Sequence, residues 1–146
     1  KQYEIVKEKL EENKISINNV ENAKIVPYIY NMEEIMNIAD LIVARSGAMT
    51  ITEIANLGKP SILIPLPNVS HNHQLYNAQV LEKIEAAKII LDNELKGENL
   101  QKKIMQILQG NTAKKMGENA LKVATKDAED RIYKEITQLV NTKNTK

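Results

Sequence analysis

Apolar positions along the chain follow two different periods, and the pattern switches between them several times. In "YEIVKEKLEEN" Ile5, Val6 and Leu10 fall on one side with charges elsewhere, which predicts an amphipathic helix. "AKIVPYI" reads as a short β-type run. "NMEEIMNIA" reads as a helix that Asn31 can cap, with Glu34 three residues on to complete a capping box. "DLIVA" is an unbroken apolar run, the pattern of a parallel strand covered on both faces. Ile51, Ile54, Ala55 and Leu57 of "SGAMTITEIANLG" fit one helical face, with Gly58 as its C-cap. "PSILIPL" reads as another buried strand, "HQLYNAQVLEKIE" as a helix and "AAKIIL" as a strand. Strands alternating with helices at these spacings predict an α/β layered domain with four strands and right-handed βαβ crossovers. From Asn93 onward only helical patterns follow: "NELKGENLQKKIMQILQ", "TAKKMGENALKVA" and "DAEDRIYKEITQLV", then a frayed "NTKNTK" tail. Four strands make a small sheet for such a fold. The chain also opens on Lys1 with no initiator Met, so a piece of a longer polypeptide is expected, with a strand or two upstream.

Bulk composition removes several function classes. The 146 residues suffice for one domain with its own core. Lys plus Arg number 20 against 19 Asp plus Glu, so no strong basic field exists to hold a nucleic acid. Cys is absent, which excludes a disulfide-stapled scaffold and favours a reducing compartment. No apolar run approaches the roughly 20 residues that cross a bilayer.

Open parallel sheets bind ligands beyond the carboxyl ends of their strands. Three loops fall there in this reading: "YIYN", "RSGAM" and "LPNVSHNHQ". In the second, Arg45 and Ser46 precede Gly47, which allows close backbone approach. The helix starting near Ala48 then offers free N–H groups and a positive dipole end, a natural seat for a diphosphate. Thr50 adds a hydroxyl, and Glu53, on the same face, can accept two hydrogen bonds from a ribose diol. The plain alternative is that Ser46 caps the helix and Thr50 with Glu53 forms an ordinary capping box. In the third loop Asn72, His73, Gln74 and Asn77 place amides and an imidazole at a helix start, suited to sugar hydroxyls. Alternatively, Asn72 is a cap and Asn77 a solvated side chain. His71 and His73 lack a cysteine or a carboxylate at ligand spacing, which disfavours a metal. In the first loop a turn at Ile29 can meet a base edge through its backbone, with Tyr28 or Met32 against the ring. From the sequence alone, Tyr28 and Met32 read more readily as core. Lys102, Lys103, Lys114 and Lys115 read as solvated helix faces.

"ADLIVARSGAMTITEIANLGKPSILIPLP" followed by "HNHQLYNAQVLEKIEAAKII" resembles the C-terminal domain of the MurG family. Its members are the UDP-N-acetylglucosamine:N-acetylmuramyl-(pentapeptide) pyrophosphoryl-undecaprenol N-acetylglucosamine transferases of bacterial cell-wall synthesis. The likeness runs from about Tyr3 to about Val140. It implies a Rossmann-like parallel sheet flanked by helices, one half of a GT-B glycosyltransferase, spanning residues 1–146 with the acceptor domain and first strand absent. It implies UDP-N-acetylglucosamine as donor, bound with Ile29 at the uracil edge and Tyr28 and Met32 lining that pocket. Ala48, Met49 and Thr50 then face diphosphate and sugar, and Glu53 the ribose. His73, Gln74 and Asn77 face the N-acetylglucosamine hydroxyls; some relatives have glutamine where His73 stands. Arg45 supports the loop and adds positive potential. The implied reaction inverts the anomeric carbon and moves N-acetylglucosamine to the 4-hydroxyl of the muramoyl unit of lipid I, giving lipid II. No cofactor, metal or nucleic acid is implied. The general base, the lipid acceptor and the main membrane contact fall to the missing domain, so the chain alone is expected to be inactive. The full-length protein is expected on the cytoplasmic face of the plasma membrane. The alternatives are a two-subunit N-acetylglucosaminyltransferase, a glycolipid synthase, or a non-catalytic nucleotide-sugar binding module.

Overall fold

A computed structural model of the chain describes residues 2–15, 22–67, 72–125 and 127–143. These fall into two units, Lys1–Glu34 and Ile35–Lys146. In the first, α1 (Gln2–Glu12) buries no residue. The "AKIVPYI" run forms no strand; its described residues are irregular and Val26 is exposed. Pro27 removes one ladder donor there, which weakens strand pairing. Helix α2 (Met32–Ile38) forms as expected. Asn31 Nδ2 donates to Glu34 Oε2 at 2.7 Å, so the two side chains bond to each other.

The second unit is built on three parallel strands: β1 (Ile42–Ala44), β2 (Ser61–Leu63) and β3 (Ala87–Ile89), in that spatial order. Ile42, Val43 and Ala44 pair with Ser61, Ile62 and Leu63, which pair in turn with Ala87, Lys88 and Ile89. Every residue of β2 is buried, as an unbroken apolar run requires when both faces are covered. Leu63 enters a cluster with Ile54, Ala78 and Leu81, which come from α3 (Ala48–Leu57) and α4 (His73–Lys83). Ile62 enters a second cluster with Ile90, Ile107 and Met116. The last two are supplied by α5 (Gly97–Leu108) and α6 (Thr112–Leu121). A 3-10 turn, Asp92–Glu94, separates β3 from α5, where one continuous helix was expected. Helix α7 (Ala128–Lys143) closes the described chain. On β3, the N–H of Ile89 donates to Glu82 Oε1 at 3.1 Å, which satisfies a donor on the outer strand.

Helix α3 ends as its sequence predicts. Gly58 adopts φ 61°, and its N–H and that of Lys59 donate to Ala55 O and Ile54 O at 3.1 and 3.0 Å. The turn is also a packing surface. Gly117 of α6 lies so close that an added methyl group would meet the Gly58 carbonyl oxygen. Gly117→Ala is therefore expected to cost about 1–3 kcal/mol by overpacking against backbone that cannot yield, measurable by urea unfolding. The buried hydroxyl of Ser61 has no hydrogen-bond partner among the described residues. Ser61→Ala is expected to gain about 1 kcal/mol in the same assay, because it removes an unpaired polar group.

Candidate functional site

Helix α3 starts where β1 ends, and its first turn is left open. Gly47 occupies the N-cap position at φ −64°, ψ 151°, and no side chain among the described residues caps the helix. The first helical bond is Ile51 N–H to Gly47 O at 3.0 Å, so the N–H groups of Ala48, Met49 and Thr50 meet no acceptor among the described residues. Met49 is 73% exposed, and Ala48 is exposed beside it. The Gly47 backbone is an ordinary extended conformation, and an added Cβ would sit 4.0 Å from Thr50 Oγ1. The turn itself therefore does not demand glycine. What glycine provides is clear space above three amides.

Neither capping alternative is realised. The Ser46 hydroxyl is fully buried and donates to Gln74 O at 2.7 Å, away from α3. No bond joins Thr50 to Glu53, and Glu53 is exposed with no hydrogen bond or ion pair among the described residues. Its carboxylate is free to accept from a ligand.

The start of α4 is fastened to this loop by side chains. Asn77 Nδ2 donates to Ser46 O at 3.1 Å, so Asn77 is not a solvated side chain. The N–H of Leu66 donates to Gln74 Oε1 at 2.9 Å. Each amide thus spends one end on the scaffold. The NH2 of Gln74 and the Oδ1 of Asn77 keep their hydrogen-bonding capacity. Asn72 sits at the N-cap of α4 in left-handed conformation, φ 53°, but its side chain makes no capping bond. His73 is exposed and engaged within the chain. His71 lies outside the described residues, and among those described no three metal-ligating side chains gather.

Arg45 braces the strand ends. Its Nη1 donates to Asp92 Oδ1 at 2.5 Å, to Ile64 O at 3.2 Å and to Pro65 O at 3.4 Å. Asp92 offsets much of the positive potential expected from Arg45. Asp92 escaped the sequence reading, which counted ligand loops after the earlier strands and passed over "LDNE". The rule that every parallel strand delivers its carboxyl end to the same crevice was the signal that could have found it. A 420 Å³ cleft lies beside these ends, lined by Pro65, Leu66, Leu75, Leu91 and Asp92 among others.

Tyr28, Ile29 and Met32 belong to the first unit. Tyr28 is 67% exposed and Met32 is exposed, so neither is core, and Ile29 is half-buried. The rings of Tyr28 and Tyr30 meet edge to face, 5.0 Å apart.

A parallel sheet covered on both faces, with an uncapped helix at the end of its first strand, defines a Rossmann-like α/β domain. The chain matches the glycosyltransferase family 28 C-terminal domain over residues 2–132 and belongs to that family. It is 45% identical over 139 residues to a Thermoanaerobacter sp. (strain X514) UDP-N-acetylglucosamine--N-acetylmuramyl-(pentapeptide) pyrophosphoryl-undecaprenol N-acetylglucosamine transferase. That match covers 94% of this chain and 38% of the relative. A Lactobacillus gasseri protein of the same name is 42% identical, covering 97% of this chain and 37% of the relative. The crystal structure of Acinetobacter baumannii MurG superposes with a TM-score of 0.73 at 30% identity, covering 79% of this chain and 33% of that one. The fold is one half of a GT-B glycosyltransferase, and the chain spans between a third and two-fifths of the length of these relatives.

The brace across the α3 and α4 starts predicts a modest local cost when it is cut. Asn77→Ala is expected to lower stability by about 1 kcal/mol, one net hydrogen bond, and to speed amide exchange around Gly47. Hydrogen exchange followed by mass spectrometry checks this.

Proposed function

We propose that this chain is the donor-binding half of an inverting transferase. The enzyme moves N-acetylglucosamine from UDP-N-acetylglucosamine to the 4-hydroxyl of undecaprenyl-pyrophosphoryl-N-acetylmuramoyl-pentapeptide in peptidoglycan synthesis. The observation that carries the reading is the open first turn of α3 beside an unpaired Glu53, in a chain 45% identical to a transferase of that name. The free amides of Ala48, Met49 and Thr50 receive the diphosphate, and the helix dipole favours the charge that grows on departing UDP. Glu53 accepts both hydroxyls of the ribose. Gln74 donates and Asn77 accepts toward the sugar, using the halves of their amides that the scaffold leaves over. The uracil falls to the backbone of Ile29 with Tyr28 and Met32, on the resemblance alone. The acceptor, the general base and the membrane contact are assigned to a further domain of the full-length enzyme, which acts at the cytoplasmic face of the plasma membrane. Among the described residues no helix is long and apolar enough to cross a membrane.

Glu53→Ala should weaken UDP binding by about tenfold or more, the loss of a charge-assisted double hydrogen bond, while thermal stability stays level. Unchanged affinity in a calorimetric titration would return Glu53 to the status of a surface carboxylate. UDP-N-acetylglucosamine should displace a bound UDP probe better than UDP-glucose does. The chain alone should transfer no sugar, since it supplies no assigned base; a measurable rate would contradict the division of labour between domains.

A further inference from the structure

The turn after β3 carries a carboxylate that the donor reading leaves unused. Asp92 holds Arg45 by a single nitrogen, Nη1, and the same nitrogen reaches the carbonyl oxygens of Ile64 and Pro65. One corner of the guanidinium therefore takes all of the anchoring, at the ends of β2 and β3. The N–H groups on Nε and Nη2 have no partner among the described residues. A planar fork fixed at one corner keeps its remaining edge in a set direction, which is the condition for meeting two oxygens of one phosphate. Arg45 stands two residues before the N-cap of α3, in the same loop as the free amides.

We infer that Asp92 is a positioning residue for the diphosphate, acting through Arg45; this rests on the donor-site reading above. Asp92 itself touches no ligand. Its negative charge opposes an incoming anion, and that repulsion has the opposite sign to the positioning effect. Positioning prevails because the Arg45 charge, in contact with the carboxylate, offsets it, and because both side chains are partly solvated, at 47% and 38% exposure.

The two effects part in a titration of the chain with UDP and with uridine, which lacks the phosphates. Asp92→Ala is expected to weaken UDP by about three- to fivefold, the upper range for an exposed ion pair, and to leave uridine unchanged. Asp92→Asn keeps an acceptor for Nη1 and is expected to restore most of the UDP affinity. UDP binding that stays equal or tightens in Asp92→Ala would overturn the inference. So would an equal loss for uridine, or an Asp92→Asn variant no better than alanine. Should the alanine variant fold poorly by circular dichroism, the asparagine variant still decides, since repulsion alone predicts tighter UDP there. An unmodified chain that binds no UDP would remove the donor reading as well, whereas normal UDP binding with an indifferent Asp92 removes only this inference.

Discussion

The hydroxyl of Ser46 turns away from the helix it stands beside. A serine one residue before a helical N-cap would normally be near enough to satisfy a free amide in the first turn. Here it donates into the start of α4 instead, and Gly47, which has no side chain, takes the capping position. Three backbone donors are thereby kept open to solvent. With glycine at the cap, leaving them open forgoes only a few tenths of a kcal/mol of capping stability, and a single solvated helix end tolerates that. Everything proposed for this domain depends on that choice, because a capped α3 would have nothing to offer an anion.

An open terminus is useful only if it stays in place, and α3 is held at both ends. At its end, Gly58 in left-handed conformation receives the backbone of α6 at Gly117, an approach only two glycines permit. At its middle, Ile54 and Ala55 sink into the cluster around Leu63 and Leu81. At its start, Asn77 holds Ser46 from α4, and Arg45 ties the preceding residue to the ends of the other two strands. Buried apolar contact supplies the energy, and a few hydrogen bonds set the orientation.

The polar residues around the crevice consequently divide their capacity. Gln74 and Asn77 each commit one end of an amide to backbone and keep the other, which orients the free end without a charged group. Arg45 does the same with its guanidinium. A site assembled this way is preorganised, because its side chains need not lose rotamer freedom when a ligand arrives.

The sequence by itself determined the order of elements from Met32 onward. Apolar runs bounded by Gly58, Pro60 and the amide-rich "HNHQ" leave little choice of period or boundary. It also determined which residues stand near the strand ends, since that follows from topology. It misjudged "AKIVPYI", where β propensity alone did not make a strand and Pro27 withholds a ladder donor, and the start of α5, where a 3-10 turn intervenes. Only the tertiary structure decided what each polar group does there. Whether Ser46 caps α3 or braces α4, and whether Arg45 is free or held by Asp92 47 residues away, depends on contacts between distant segments. Hydrogen-bond partners at such separations are set by packing, and no local pattern encodes them.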